Sequence, residues 1–298
     1  YEKKRKYTDQ LRHIEEIDKN GELEQWQYRI YSKWTVSVVK ALNSPKNSGD
    51  NVYPNQVLNV AAKIAEILRP RRFIEEQPLL YAMVFELAYF FGEKNLGDIG
   101  FDFKNKPSRI EIVNRIIKLQ NYSKYLEIGT FKDELFSKVI CNNKVGVDPF
   151  SGGSHRMTSD EFFLSNKNKF DCIFIDGLHH YSQVIKDINN SIKILNDNGV
   201  ILIHDCLPNN LMEQQVPRMT LNWNGDVWKA FVECRTKPNL DCYTCYADWG
   251  IGVIFKRQNS NILNIDEKNF KKLKFNFFFN NYKKLMNIIE FEDLLKKF

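Results

Sequence analysis

The chain has 298 residues, 43% hydrophobic and 27% charged, a globular balance with length for one large domain or two small ones. Its formal charge of +6 comes from lysines spread along the sequence, and no dense basic block interleaved with aromatics marks a nucleic-acid surface. No run reaches the roughly 18 to 20 apolar residues of a membrane span, since Leu79 to Phe91 is shorter and contains Glu86.

The chain opens at Tyr1 without a cleavable-signal pattern and reads as a piece of something longer. Residues 1 to about 105 read as a helical region: Gln25 to Asn43, Gln56 to Leu68 closed by Pro70, and Glu76 to Phe91. These helices offer a homodimer surface or a lid. From Pro107 helical patterns alternate with short apolar runs, the sequence form of a parallel sheet with crossover helices. The expected organisation is a helical region over 1–105, the main domain over 106–258 and a helical tail over 259–298.

Ser108 to Gln120 is predicted as a helix, with Glu111 at capping-box spacing from Ser108. Strands are predicted over Tyr125 to Ile128, Lys144 to Val147, Asp171 to Ile175 and Val200 to Ile203, with a helix over Tyr181 to Leu195. Gly250 to Phe255 is predicted as the last strand. The six cysteines include Cys242-x-x-Cys245, a single pair that reads as free thiols in a reducing, cytoplasmic setting and not as a zinc site. In the tail, Leu285, Ile288, Ile289, Leu294 and Leu295 have helical spacing.

Three strand ends carry the chemistry. Glu127-Ile128-Gly129 closes the first strand before another helical stretch, and a glycine there lets a ligand approach the backbone. Asp148 ends the next strand about 20 residues later, the interval at which nucleotide-binding folds place a carboxylate for ribose hydroxyls. The runs Phe170 to Tyr181 (FDCIFIDGLHHY) and Gly199 to Pro208 (GVILIHDCLP) then bring Asp176, His179, His180, His204 and Asp205 to two more strand ends.

With these runs, residues 107 to 257 resemble the class I S-adenosylmethionine-dependent methyltransferases, in particular the branch of macrolide-sugar and surface-polysaccharide O-methyltransferases. The resemblance implies a Rossmann-like, doubly wound α/β sheet, mostly parallel with an antiparallel last strand, here carrying a helical amino-terminal extension. It implies O-methylation of a sugar or related polar small molecule, with S-adenosylmethionine as cofactor and Mg2+ as a further one. Glu127, Gly129, Asp148, Ser159, Asp160 and Asp176 match cofactor-contacting positions, Asp176 and Asp205 the metal-holding acids, and His179 the general base beside Asp176. After Gly129 the family has further small residues, where this chain has Thr130-Phe131-Lys132-Asp133.

The chemistry agrees. A sulfonium methyl needs only an aligned acceptor and removal of the acceptor proton, and carboxylates at adjacent strand ends suit a hard cation. Asp176 and Asp205 read alternatively as loop or capping carboxylates. Between Pro208 and Gly250, Trp223 to Trp228 offers aromatic faces to a sugar ring, while Val227, Trp228 and Phe231 at helix spacing equally fill core. Rival readings are a nicotinamide-dependent oxidoreductase, which shares the Asp148 logic, and a degenerate methyltransferase fold kept as a binding or oligomerisation module.

Overall fold

The computed structural model describes residues 96–216 and 222–298. The helices expected over residues 1–105 therefore lie almost wholly outside the described residues, as does the dimer surface placed on them. Leu96–Val216 and Trp223–Phe298 form one unit built on a seven-stranded sheet.

Its elements are α1 (Arg109–Gln120), β1 (Lys124–Ile128), β2 (Asn143–Val147), α2 (Ser159–Ser165), β3 (Phe170–Ile175), α3 (Tyr181–Ile194), β4 (Leu195–Ile203), α4 (Val227–Arg235), β5 (Asp241–Cys245), β6 (Ile251–Phe255), α5 (Phe275–Met286), β7 (Ile288–Ile289) and α6 (Phe291–Leu295). The strand order is β2-β1-β3-β4-β6-β5-β7. Pairs β1/β2, β1/β3, β3/β4 and β5/β7 are parallel, and β6 runs antiparallel to both neighbours. This is the expected Rossmann-like, mostly parallel sheet with one reversed strand. That strand stands inside the sheet between β4 and β5, and two elements unseen in the sequence, β5 and β7, extend the edge beyond it.

The central strands are near-continuous apolar runs because helices cover both faces of a parallel sheet. Leu126, Cys172, Ile173, Phe174 and Val200 to Leu202 are wholly buried. α1 presents Ile112, Val113, Ile116 and Ile117 to the core and ends in the left-handed residue Asn121. Ser108 caps it by accepting from the Glu111 amide. The reciprocal capping box is found instead at α2, where Thr158 and Glu161 satisfy each other.

Two expectations change. The stretch after Gly129 is no α-helix but a turn followed by a 3-10 turn at Phe136–Lys138, and Phe131 and Asp133 hold φ of +44° and +59°. Ile288 and Ile289 leave helix α5 as strand β7, because Asn287 turns left-handed at φ +48° and the chain then pairs with Thr244 and Cys245. Among the described residues no helix is long and apolar enough to cross a membrane.

Candidate active site

The chain order places a topological switch point at β1 and β3: from β1 the chain steps to β2 on one side and to β3 on the other, leaving a crevice at the carboxyl ends. There the two backbones touch. The Asp176 amide donates to the Ile128 carbonyl at 2.8 Å, and a Cβ on Gly129 (φ +89°) would collide with the Asp176 carbonyl. Only glycine fits that turn.

Asp176 follows β3, and His204 and Asp205 follow β4 one strand over, held in step by the His204 amide on the Ile175 carbonyl. Asp205 takes φ +61°, which a short polar side chain tolerates. These turns converge on one another. His179 Nε2 lies 3.2 Å from Asp176 Oδ1 and its Nδ1 lies 3.3 Å from Asp205 Oδ2. His204 Nδ1 stands 3.1 Å from Asp205 Oδ2 and 3.4 Å from Asp176 Oδ1, while its Nε2 meets Asp248 Oδ1 at 2.9 Å. Arg109 Nη1 donates to Asp176 Oδ2 at 2.9 Å, and the Arg109 amide donates to Asp248 Oδ2 at 2.6 Å. Asp248 thereby fixes the start of α1 as well as His204.

Burial alone would neutralise His204, yet Asp205 and Asp176 more than offset it and hold its pKa well above the ordinary imidazole value. His179 is raised in the same way, against desolvation, by Asp205 and Asp176. Desolvation pushes Asp176 up, but the two imidazoles outweigh it and bring it below the usual carboxylate range. Arg109 Nη1 also approaches His204 Nδ1 at 3.3 Å, a hydrogen bond only if that nitrogen is bare. Three surrounding carboxylates favour the protonated ring, so this approach is a close contact of two cations that the acids offset.

Asp176, His179 and Asp205 each offer one donor atom, all within 4.8 Å of one another. Two carboxylates and an imidazole fit a divalent cation. Its binding would displace the proton of whichever His179 nitrogen ligates it.

Glu127 is buried, accepts from Tyr125 Oη at 2.7 Å, and is pushed by burial up to about 8. Asp176 and Arg109 both act on it electrostatically, so it borders the centre. Asp148 does not join it. Its Oδ2 accepts from the Phe131 amide at 2.9 Å, and its Oδ1 from the Phe150 and Ser151 amides at 2.7 and 2.9 Å. The loops after β1 and β2 are fastened further by the Gly153 amide on Asp133 and Ser151 Oγ on the Phe131 carbonyl. Ser159 and Asp160 begin α2, and both accept from Gln183 of α3. The fold thus unites Asp176, His179 and Asp205, sets Glu127 beside them, and leaves Asp148, Ser159 and Asp160 in networks of their own.

Arg109 and Asp248 escaped the sequence reading. Asp248-Trp249-Gly250 repeats the acid-x-Gly spacing of Glu127-Ile128-Gly129, a signal that could have found it; Arg109 is one arginine in a helix and carries none. Trp223 stacks on His179, whereas Val227, Trp228 and Phe231 are buried core, Trp228 against Phe278.

Residues 141–206 match the family model described as a methyltransferase domain. None of the curated proteins matches the chain. Solved structures with some likeness include the O-methyltransferase from Bacillus cereus in complex with SAH, at 13% identity, 52% of this chain, 83% of that chain and TM-score 0.38. TomG, an O-methyltransferase from Streptomyces achromogenes involved in tomaymycin synthesis, gives 11%, 50%, 79% and 0.39. MycE from the mycinamycin pathway, in complex with Mg and SAH, gives 12%, 55%, 58% and 0.35. The matched segment runs from just before β2 through β3 and α3 to just past β4, and ends one residue beyond Asp205.

Proposed function

We propose that this chain is an S-adenosylmethionine-dependent O-methyltransferase acting on a hydroxyl of a sugar or related polar small molecule, in a cytoplasmic setting. The observation that carries this reading is the meeting of Asp176, His179 and Asp205 at the carboxyl edge of the sheet, inside the segment that matches a methyltransferase domain. S-adenosylmethionine supplies a methyl already activated on a sulfonium. The remaining work is to place an acceptor oxygen in line and to take its proton.

His179 is the base in this reading. As the oxygen–methyl bond forms and the carbon–sulfur bond breaks, the hydroxyl proton passes to a ring nitrogen of His179 and later to solvent. Asp176 and Asp205 flank that ring, orient it and stabilise it once charged. They are also the residues that would hold a divalent cation, whose contribution is to make a bound hydroxyl more acidic. Because both acids raise the His179 pKa, the free base is scarce at low pH and turnover climbs as pH rises through that elevated value.

For the methyl donor, Gly129 gives close approach at the crevice, and Asp148, with three amides on its two oxygens, keeps lone-pair capacity for a ribose hydroxyl. Glu127, Ser159, Asp160 and Asp176 complete the proposed cofactor contacts. The engagement of Asp148 by the two loops also favours a second reading, a methyltransferase fold kept for binding without turnover.

Thermal unfolding with S-adenosylhomocysteine, and separately with NAD, discriminates these readings. S-adenosylhomocysteine should raise Tm and NAD should not; stabilisation by NAD alone points to an oxidoreductase, and by neither to the binding module. Transfer of tritiated methyl to a panel of free and nucleotide-linked sugars should be abolished in His179→Ala with S-adenosylhomocysteine binding intact. Chelation by EDTA should lower the rate if Asp176 and Asp205 hold a cation, and full activity in chelator removes the metal from the reading.

A further inference from the structure

The segment Trp223-Asn224-Gly225-Asp226 lies against the centre, and each of these four residues contacts the site. The Trp223 indole lies on the His179 imidazole, with centroids 4.9 Å apart and planes 17° from parallel. Its carbonyl oxygen stands 3.2 Å from His179 Nδ1. The indole is pinned from its other edge, since its Nε1 donates to the Gln215 carbonyl. Gly225, at φ +63°, packs so close that a Cβ would collide with the His179 carbonyl oxygen. The Asp226 amide donates to that same oxygen at 3.2 Å, and Asp226 Oδ1 accepts from the Tyr181 amide at the start of α3. Asn224 Nδ2 donates to Asp205 Oδ1 at 3.1 Å.

Plain packing does not require this arrangement. Asn224 is wholly buried with its Oδ1 unpartnered, a cost that an apolar residue of similar size would avoid. Its amide donates to Asp205 and, at 3.5 Å, to the Trp249 carbonyl beside Asp248. The stack, meanwhile, fixes the plane of a ring whose two nitrogens must face Asp176 and Asp205 together. A parallel indole ring covers neither in-plane nitrogen and removes only rotation out of that plane, while the Trp223 carbonyl shares Nδ1 with Asp205.

We propose that Trp223–Asp226 is a clamp that sets His179 and Asp205 in place, with Trp223 and Asn224 as positioning residues for proton removal. The proposal rests on His179 being the base of the methyl transfer described above. It differs from an acceptor-binding role for the same segment, because the face of Trp223 is given to the histidine.

The test uses the full chain and the variants Trp223→Ala, Trp223→Phe and Asn224→Ala. Carbethoxylation of His179 by diethyl pyrocarbonate, followed by peptide mass spectrometry, needs neither cofactor nor acceptor. Labelling should be about tenfold faster in Trp223→Ala and near the wild-type rate in Trp223→Phe, which keeps a stacking ring. In the methyl-transfer assay Trp223→Ala should lose about 100-fold in kcat with unchanged affinity for S-adenosylhomocysteine, and Trp223→Phe should recover most of it. Asn224→Ala should lower kcat without faster labelling, since the stack is intact. Labelling of Trp223→Ala at the wild-type rate, or equal losses of kcat in the Ala and Phe variants, overturns the clamp. Failure of the enzyme reading is marked separately, by wild-type protein that does not bind S-adenosylhomocysteine.

Discussion

Glu127 is the residue whose chemistry departs furthest from its place in the sequence. An acid closing a strand before a glycine reads as a cofactor contact, yet burial pushes its pKa up to about 8 and the Tyr125 hydroxyl donates to it. The native state therefore holds a proton that the unfolded chain releases above about 4.5. Stability contributed by this site is fully present below that value and is lost as pH rises towards 8. Glu127→Gln keeps the hydrogen bond and removes the titration, so its stability should equal wild type near pH 4 and exceed it by a few kcal/mol at pH 9. Chemical denaturation at the two pH values checks this, and equal stability at pH 9 would mean that the carboxyl is not buried. Asp176, His179 and Asp205 were legible from sequence because each sits at or just beyond a strand end, where topology rather than side-chain detail decides the neighbours. Arg109 and Asp248 were not, because they arrive from 67 residues before Asp176 and 44 after His204; the acid-x-Gly spacing marks Asp248 as a candidate but does not encode its partner, and Arg109 carries no local pattern at all.

At the scale of elements, the apolar runs of β1, β3 and β4 and the 3.6-residue periodicity of α1 and α3 were strong enough to be read directly. Two signals were ambiguous. The segment after Gly129 has helical composition, but the Asp148 carboxylate captures the Phe131 amide, and the loops lock with Phe131 and Asp133 left-handed. Thr158-x-x-Glu161 is the capping box that works: the Thr158 and Glu161 amide and side-chain bonds are all present. It starts a helix only seven residues long, too short to persist on propensity. Thr158→Ala should cost about 1 kcal/mol and should expose the first turn of α2, where Ser159 and Asp160 accept from Gln183. Amide exchange measures it: faster exchange confined to α2 supports the argument, and unchanged exchange at Glu161 refutes the cap.

For the whole molecule, the sheet separates stability from chemistry. The crevice lies at β1 and β3, whereas the carboxyl-terminal tail adds β7 at the far edge, four strand spacings from β3 and so about 19 Å away. That tail was read as helix alone because the pairing that recruits Ile288 and Ile289 is long-range and set by Asn287. It is pinned by Arg235, almost wholly buried, whose guanidinium donates to the carbonyls of Lys284 and Leu285 at the end of α5 and of Asn261. A charge at a helix carboxyl terminus is favourable, and removing it strands three carbonyls. Arg235→Met keeps the apolar stem and deletes those bonds. Its expected cost is about 2 to 4 kcal/mol, read as a fall in the denaturation midpoint with early proteolytic cleavage between residues 259 and 287. Affinity for S-adenosylhomocysteine should stay within about twofold of wild type, because β4, β6 and β5 stand between the tail and the crevice. Loss of that affinity in step with stability would show that the two ends of the sheet are coupled, and the separation argued from strand order would not hold.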